Sequence, residues 1–527
     1  MRARTLVQAV ASTSLINVLA LAGAHAQSPA SGEPEVLSLE EVVVTANRRV
    51  ENVQQVPIAV ASFSAESALA HGITDMQSLA NAVPGVRVDR ATATALPFIR
   101  GVGSPVGQVS AEPPIAFYVD DVYIPAAGAA LSNFNSVDSL EIAKGPQGTL
   151  FGRNATGGVI QVFTKNPTPE PAFDAKVGYG NYDTKTGSIY ATGGLSENLS
   201  ANIAAYGGDQ GSGWGDNPTT GNDSFETNKY YGGRVKLMWK PSDATSVLLN
   251  IDHDNTKSSQ GFYGPVKGTV GAGSYQPASG YYDLVDYTEK EPYWRVKQTG
   301  GSLKVTQELG VGKLVSISGY RDSEQIQHWD QSGAPVPIVP VNISGPTKTF
   351  TQELQLLSPD DSAVTWIAGL FYMHDKSGYD PLELGPPATG PLPFAAFYSE
   401  QKTNSYAAFA QVNWEVFDAT HLTLGARYTL DKRKMNAHSN FGDLIIGDAI
   451  NDGVDDDWKK PSWRIALDHQ FTDDFMAYVA YNRGFKSGTF NAVVTGPVIG
   501  EPVEPETLDA YTIGQKAEFF DNRVRVN

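Results

Sequence analysis

From Pro167 to the end of the chain, apolar and polar residues alternate with period two, and the alternating runs are joined by connections that switch between short and long. Successive side chains of an extended strand point to opposite faces, so each such run has two chemically different sides. Val247, Leu249, Ile251 and His253 share one face, opposite Ser246, Leu248, Asn250 and Asp252. Tyr406, Ala408, Ala410, Val412 and Trp414 likewise oppose Ser405, Ala407, Phe409, Gln411 and Asn413. Further strands centre near Val177, Tyr190, Ala204, Leu237, Leu303, Ser316, Leu354, Ala368, Leu424, Ile465, Tyr478 and Ile513. Short turns are read at 195–198, 241–244, 309–312, 358–362, 417–420 and 471–474, alternating with long loops near 209–227, 255–291, 323–346, 375–399, 432–458 and 485–505. One face suits lipid and the other a wet lumen. The short-long alternation gives one rim of tight turns and one of long loops, as in a transmembrane antiparallel β-barrel. Trp239, Trp366, Trp414, Trp463, Tyr320, Tyr428 and Tyr481 stand on or near strand ends, where amphipathic rings favour the membrane interface.

The 527 residues carry a formal net charge of −18 and no cysteine. A disulfide framework is excluded, and the charge argues against a partner bound through net basic charge, such as nucleic acid. Arg2 and Arg4 precede a mostly apolar stretch from Leu15 to Ala24 and the small-x-small sequence Ala24-His25-Ala26, so residues 1–26 read as an export signal. Beyond it, no uninterrupted apolar run approaches the ~18 to 20 residues of a membrane helix. Strands are the remaining way to cross.

Residues 27–50 begin with a Pro/Ser/Gly/Glu-rich stretch that cannot bury enough apolar surface to order itself. Within them, residues 39–46 read L-E-E-V-V-V-T-A. Three valines favour an extended backbone, which can add as a strand to a partner's sheet or serve as the first strand of the following domain. Residues 51–166 interleave short strands with short helices, a compact α/β domain. In it Ile58 to Phe63 reads as a strand, Thr74 with Gln77 as a helix capping box, and Pro84-Gly85 as that helix's end. Residues 167–527 are the strand-rich remainder.

The run E-I-A-K-G-P-Q-G-T-L-F-G-R-N-A-T-G-G-V-I from Glu141, with I-R-G at Ile99 to Gly101 and Y-V-D-D at Tyr118 to Asp121, resembles the plug domain of TonB-dependent outer-membrane receptors. The resemblance implies a barrel of 22 strands with the α/β domain as a plug in its lumen. About 14 strands are read here, with another beginning at Asp521 to Asn527, so the sequence reads as part of a longer chain; a smaller barrel is the other reading. The resemblance also makes residues 39–46 a TonB box, with Glu41, Val42, Val43, Val44, Thr45 and Ala46 contacting TonB. It implies residence in the outer membrane of a Gram-negative bacterium, loops outside and TonB box in the periplasm, with outer-membrane lipid around the barrel. A scarce solute, a ferric siderophore foremost, would be captured and imported by TonB-driven plug rearrangement. Glycans, cobalamin and aromatic compounds are the alternative cargoes, and a non-transporting adhesin or signalling receptor the alternative role.

Arg100 and Arg153 are the plug cations expected to anchor plug to barrel by pairing with lumen carboxylates such as Glu353 and Glu506, since guanidinium can bridge carboxylates bidentately. Lys144 and Thr512 depart from the family pattern, which often has arginine and glutamate there. The loop from Gly261 to Trp294 supplies rings for substrate stacking, with Phe262, Tyr263, Tyr281 and Tyr282 as candidates. No metalloprotease, Walker or nucleophile-elbow motif occurs, and the eight histidines lack ligand spacing; no catalytic residue, cofactor or metal site is expected. The acidic run Asn451 to Asp457 reads as a solvated loop, with calcium binding as the sharper alternative.

Overall fold

The computed structural model describes residues 43–527 except 92, 129–133, 218–219, 225–227, 260–291, 332–338, 386–394, 442–443, 447–452 and 495–500. The expected export signal, residues 39–42 and the loop rings Phe262, Tyr263, Tyr281 and Tyr282 lie outside the described residues.

The N-terminal unit starts with a two-stranded sheet of β1 (Val43–Val44) and β2 (Glu51–Asn52). Next come β3 (Val60–Ser64), α1 (Ala65–Ala70), α2 (Met76–Ala82), β4 (Val86–Ala91), β5 (Thr94–Ile99), β6 (Val102–Gly103), β7 (Ile115–Val119), β8 (Val122–Tyr123), β9 (Val137–Lys144), α3 (Gly148–Phe151) and β10 (Gly158–Thr164). The main sheet runs β3-β9-β10-β7-β8, with β10 parallel to β7 and antiparallel to β9, while β4-β5-β6 form a second, antiparallel sheet. The α2 cap falls one residue later than expected. Asp75, not Thr74, accepts from the Ser78 N–H at 2.7 Å, and the Ser78 hydroxyl accepts from the Asp75 N–H at 3.0 Å. Aspartate is the stronger cap, and Thr74 instead offers its carbonyl to the Phe134 N–H. Pro84 forces Val83 extended, which ends the helix.

The barrel strands are β11 (Ala172–Gly180), β12 (Thr184–Ser196) and β13 (Leu199–Gln210), followed by a rim hairpin of β14 (Gly215–Asp216) and β15 (Asp223–Ser224). Then come β16 (Lys229–Ser242), β17 (Thr245–Ser259), β18 (Tyr293–Leu309), β19 (Gly312–Asp330), β20 (Pro340–Leu357), β21 (Val364–Ser377), β22 (Leu382–Leu384), β23 (Ala395–Phe417), β24 (Thr420–Phe441), β25 (Leu444–Ile446), β26 (Val454–Thr472), β27 (Phe475–Lys486), β28 (Glu506–Phe519) and β29 (Val524–Val526). Apart from the rim hairpin they make one sheet in chain order with antiparallel pairing throughout. Every strand centre and short turn read from the sequence is present. Several loops are shorter than read. β24 continues through the charged stretch Asp431 to Lys434, and β26 starts at Val454, because the hydrogen-bond ladder runs on above the membrane where the apolar-polar code stops. Asp455 and Asp457 therefore point opposite to Asp456, so these three carboxylates cannot converge on one ion.

β23 shows how the strands sit in the membrane. Tyr406 and Trp414 are half exposed on its outer face and stand eight residues apart, about 27 Å along the strand and roughly 20 Å across the bilayer after barrel tilt. That approaches the ~25 Å apolar band of an outer-membrane barrel. The inner face is only partly wet. Gln401, Thr403, Ser405 and Gln411 are buried polar residues, but Ala407 and Phe409 join Ile367, Phe371, Met373, Val315 and Ile317 in one apolar cluster with the N-terminal unit. The unit fills the barrel at this level, so wall residues there extend its core and exclude water.

Candidate functional site

Two charged layers join the plug to the barrel wall. The first is built around Glu112 and Arg153. Gly152 takes φ +78° at the end of α3, and a Cβ there would lie 2.7 Å from the Arg427 guanidinium, so glycine is required for this segment to reach the wall. Arg153 follows and meets both Glu112 and, at 3.3 Å, Asp431 of β24. Arg433 of β24 reaches Glu112 at 3.0 Å, and Tyr123 donates to the same carboxylate at 2.7 Å. Asp431 also accepts from the Ser487 hydroxyl at 2.6 Å. All four charged side chains are at most 8% exposed, two cations against two anions. Desolvating such groups is costly, and only this mutual pairing makes it tolerable.

The second layer lies toward the short-turn rim and is organised by the Y-V-D-D motif. Asp120 and Asp121 are the two turn residues between β7 and β8, with φ +47° and +69°, the primed hairpin geometry that aspartate tolerates better than most residues. The turn sends the two carboxylates to different partners. Asp120 accepts from the Thr164 N–H at 2.8 Å and meets Lys236 of β16 at 3.0 Å. Asp121 meets Lys304 of β18 at 2.7 Å and Arg48 at 3.4 Å. Arg48 also lies 3.6 Å from Glu353 of β20, with its guanidinium over the Phe151 and Tyr118 rings.

Around this layer the chain from Val43 to Pro57 is attached to both bodies. Val44 and Ala46 are buried in the plug's apolar cluster, Val43 is half exposed, and Thr45 bonds to Glu141 of β9. Arg49 donates to the Ser358 and Trp366 carbonyls, each at 2.9 Å, and pairs with Asp360, which ties it to the β20–β21 turn. From the barrel, Arg464 donates to the Pro57 carbonyl at 2.8 Å and Lys516 to that of Val53. Glu141 has no ion-pair partner among the described residues, and burial, partly offset by the Thr45 hydrogen bonds, pushes its pKa up to about 7.

Of the four anchoring residues expected from the sequence, Arg153 and Glu353 lie at the seam but not together: Arg153 takes Glu112 and Asp431, and Glu353 takes Arg48. Arg100 is exposed in the two-residue turn between β5 and β6 and makes no ion pair among the described residues. Glu506 is exposed on β28 and pairs at 3.4 Å with Lys486 of the neighbouring strand. Lys144 donates to the Pro84 carbonyl within the plug. Arg48, Glu112, Asp120, Asp121, Glu141, Lys236, Lys304, Asp431 and Arg433 were not expected at the site from the sequence. The paired aspartates of Y-V-D-D were the one available signal, since two adjacent residues that tolerate positive φ mark a tight turn.

Among known proteins, the family model described as "TonB dependent receptor-like, beta-barrel" matches residues 178–527, and that described as "TonB-dependent Receptor Plug Domain" matches residues 52–159. The pesticin receptor of Yersinia pestis is 23% identical over 460 residues, covering 85% of this chain; the chain spans 64% of that relative's length. A vitamin B12 transporter of Vibrio vulnificus is 22% identical over 516 residues, covering 95% of this chain and 72% of the transporter. In solved structures, the ferric yersiniabactin uptake receptor of Yersinia pestis superposes with a TM-score of 0.77 at 21% identity, covering 88% of this chain and 70% of that one. The siderophore receptor PiuA of Acinetobacter baumannii follows at a TM-score of 0.73 and 15% identity, covering 93% and 74%. With a plug seated in an outer-membrane β-barrel and both family models matching, the chain belongs to the TonB-dependent receptors.

Proposed function

We propose that this protein captures a ferric siderophore at the long-loop rim and imports it to the periplasm when TonB pulls on residues 39–46. The observation that carries this reading is the attachment of the Val43 to Pro57 segment. Its first residues pack on the plug sheet, its middle is bonded to a rim turn, and its end is held by two barrel cations. A pull from the periplasm on such a segment loads the plug against a fixed wall. An outer membrane has no nucleotide supply, so uphill passage requires this mechanical route. The two structural relatives, a ferric yersiniabactin uptake receptor and a siderophore receptor, support the cargo class.

The test is uptake of radiolabelled ferric siderophores by cells producing the protein, intact or lacking Glu41 to Ala46. Surface binding kept and uptake lost on deletion is the expected result. Equal uptake by both forms would overturn the energised reading, and accumulation of labelled cobalamin instead would replace the cargo.

A further inference from the structure

We propose that Glu141 is a latch that holds residues 43–46 closed by occupying the main-chain N–H of Thr45, the group an incoming partner strand must take. This rests on the reading of that segment as a partner-binding strand. Both carboxylate oxygens share the Thr45 N–H, at 2.9 and 3.0 Å, and the Thr45 hydroxyl, at 3.1 and 3.2 Å. Among the described residues, the segment's only ladder is the two-residue pairing of Val43 and Val44 with Asn52 and Glu51. Two residue pairs make a marginal sheet, so the hold comes from the Val44 and Ala46 side chains and from this carboxylate.

Three features fit a latch that opens. Glu141 has no cation to fix it among the described residues, whereas the neighbouring Asp121 carries two, Lys304 and Arg48. Gln161 donates to Glu141 at 3.3 Å from within the plug, so the carboxylate keeps a partner after Thr45 leaves. A cavity of about 790 Å³ borders Val43, Thr45, Arg48 and Glu141, which gives the segment room to swing out without dismantling the plug sheet. A partner strand displaces one acceptor for another at Thr45. The exchange conserves hydrogen bonds, so the difference between closed and captured forms is set by apolar packing and by the solvation Glu141 regains.

The chain has no cysteine, so Val44→Cys gives a single buried thiol whose labelling by a soluble maleimide reports release in the purified protein without any partner. Glu141→Leu, which keeps the approximate volume and removes both acceptor oxygens, should speed labelling about tenfold, and Thr45→Val, which replaces only the hydroxyl, about threefold. A thiol placed at Leu79 in α2, also fully buried, should stay protected in both. Unchanged labelling at Val44 overturns the latch, and so does equal acceleration at Leu79, which would make Glu141 an ordinary core residue. Binding of the periplasmic domain of TonB to Glu141→Leu then tests the underlying reading separately. Tighter binding in step with faster labelling supports both, and faster labelling with no binding by either form keeps the latch but removes TonB as its opener.

Discussion

The seam around Glu112 and the contact around Glu141 both bury carboxylates between the plug and its surroundings, yet they are built in opposite ways. Glu112 and Asp431 each face arginine, and each body contributes one cation and one anion. Glu141 faces a main-chain amide, a hydroxyl and an amide side chain. Removing one member of a closed ionic network strands a buried charge, whereas removing one neutral donor leaves a carboxylate that water can satisfy. One region is arranged to resist separation and the other to permit it.

The sharpest way to break this contrast is at the seam. Arg153→Ala should destabilise plug seating by about 3–5 kcal/mol, the cost of an uncompensated buried charge, and raise passive leak of large antibiotics. Adding Asp431→Ala should recover part of that loss, and a fully additive double variant in denaturant titrations would contradict the network. At Glu141 the corresponding lever is pH. Its folded pKa of about 7 lies above the usual 4.5, so the folded plug binds the proton more tightly than the unfolded chain does. That contribution is fully present below pH 4.5 and is lost as pH rises through about 7, on the order of 3 kcal/mol at most. Denaturant midpoints of wild type should fall between pH 5 and 8 with a slope that Glu141→Gln removes; identical slopes would show that another group titrates.

A smaller effect separates the turn aspartates from ordinary surface acids. Asp121→Asn keeps a residue that tolerates φ +69° but gives up charge to Lys304 and Arg48, for an expected loss of about 1.5–3 kcal/mol in thermal unfolding. Glu506→Gln should cost less than about 0.5 kcal/mol, because its pair with Lys486 is exposed. Arg100→Glu should leave antibiotic leak unchanged. A leak equal to that of Arg153→Ala would return Arg100 to the seam.

Period-two alternation located every spanning strand because lipid and lumen impose opposite demands on successive side chains, and that demand is local. The loops were read too long where strands such as β24 leave the membrane: above the lipid the outer face is free to be polar, so Lys432 and Lys434 carry no sign of the ladder they belong to. Which charges meet across the seam was not legible. Arg153 was recognised as a cation that must be paired, but its partners lie 41 residues upstream and on a strand beginning 267 residues downstream, at distances set by closing the sheet around the plug.

Residue chemistry alone therefore determined the architecture: an α/β unit, then amphipathic strands whose alternation a membrane requires. Only the tertiary structure decided the pairing of Arg48 with Glu353, of Lys236 with Asp120 and of Thr45 with Glu141. Strand patterning is written in the nearest neighbours of each residue, whereas an ion pair depends on the summed geometry of every turn between its members.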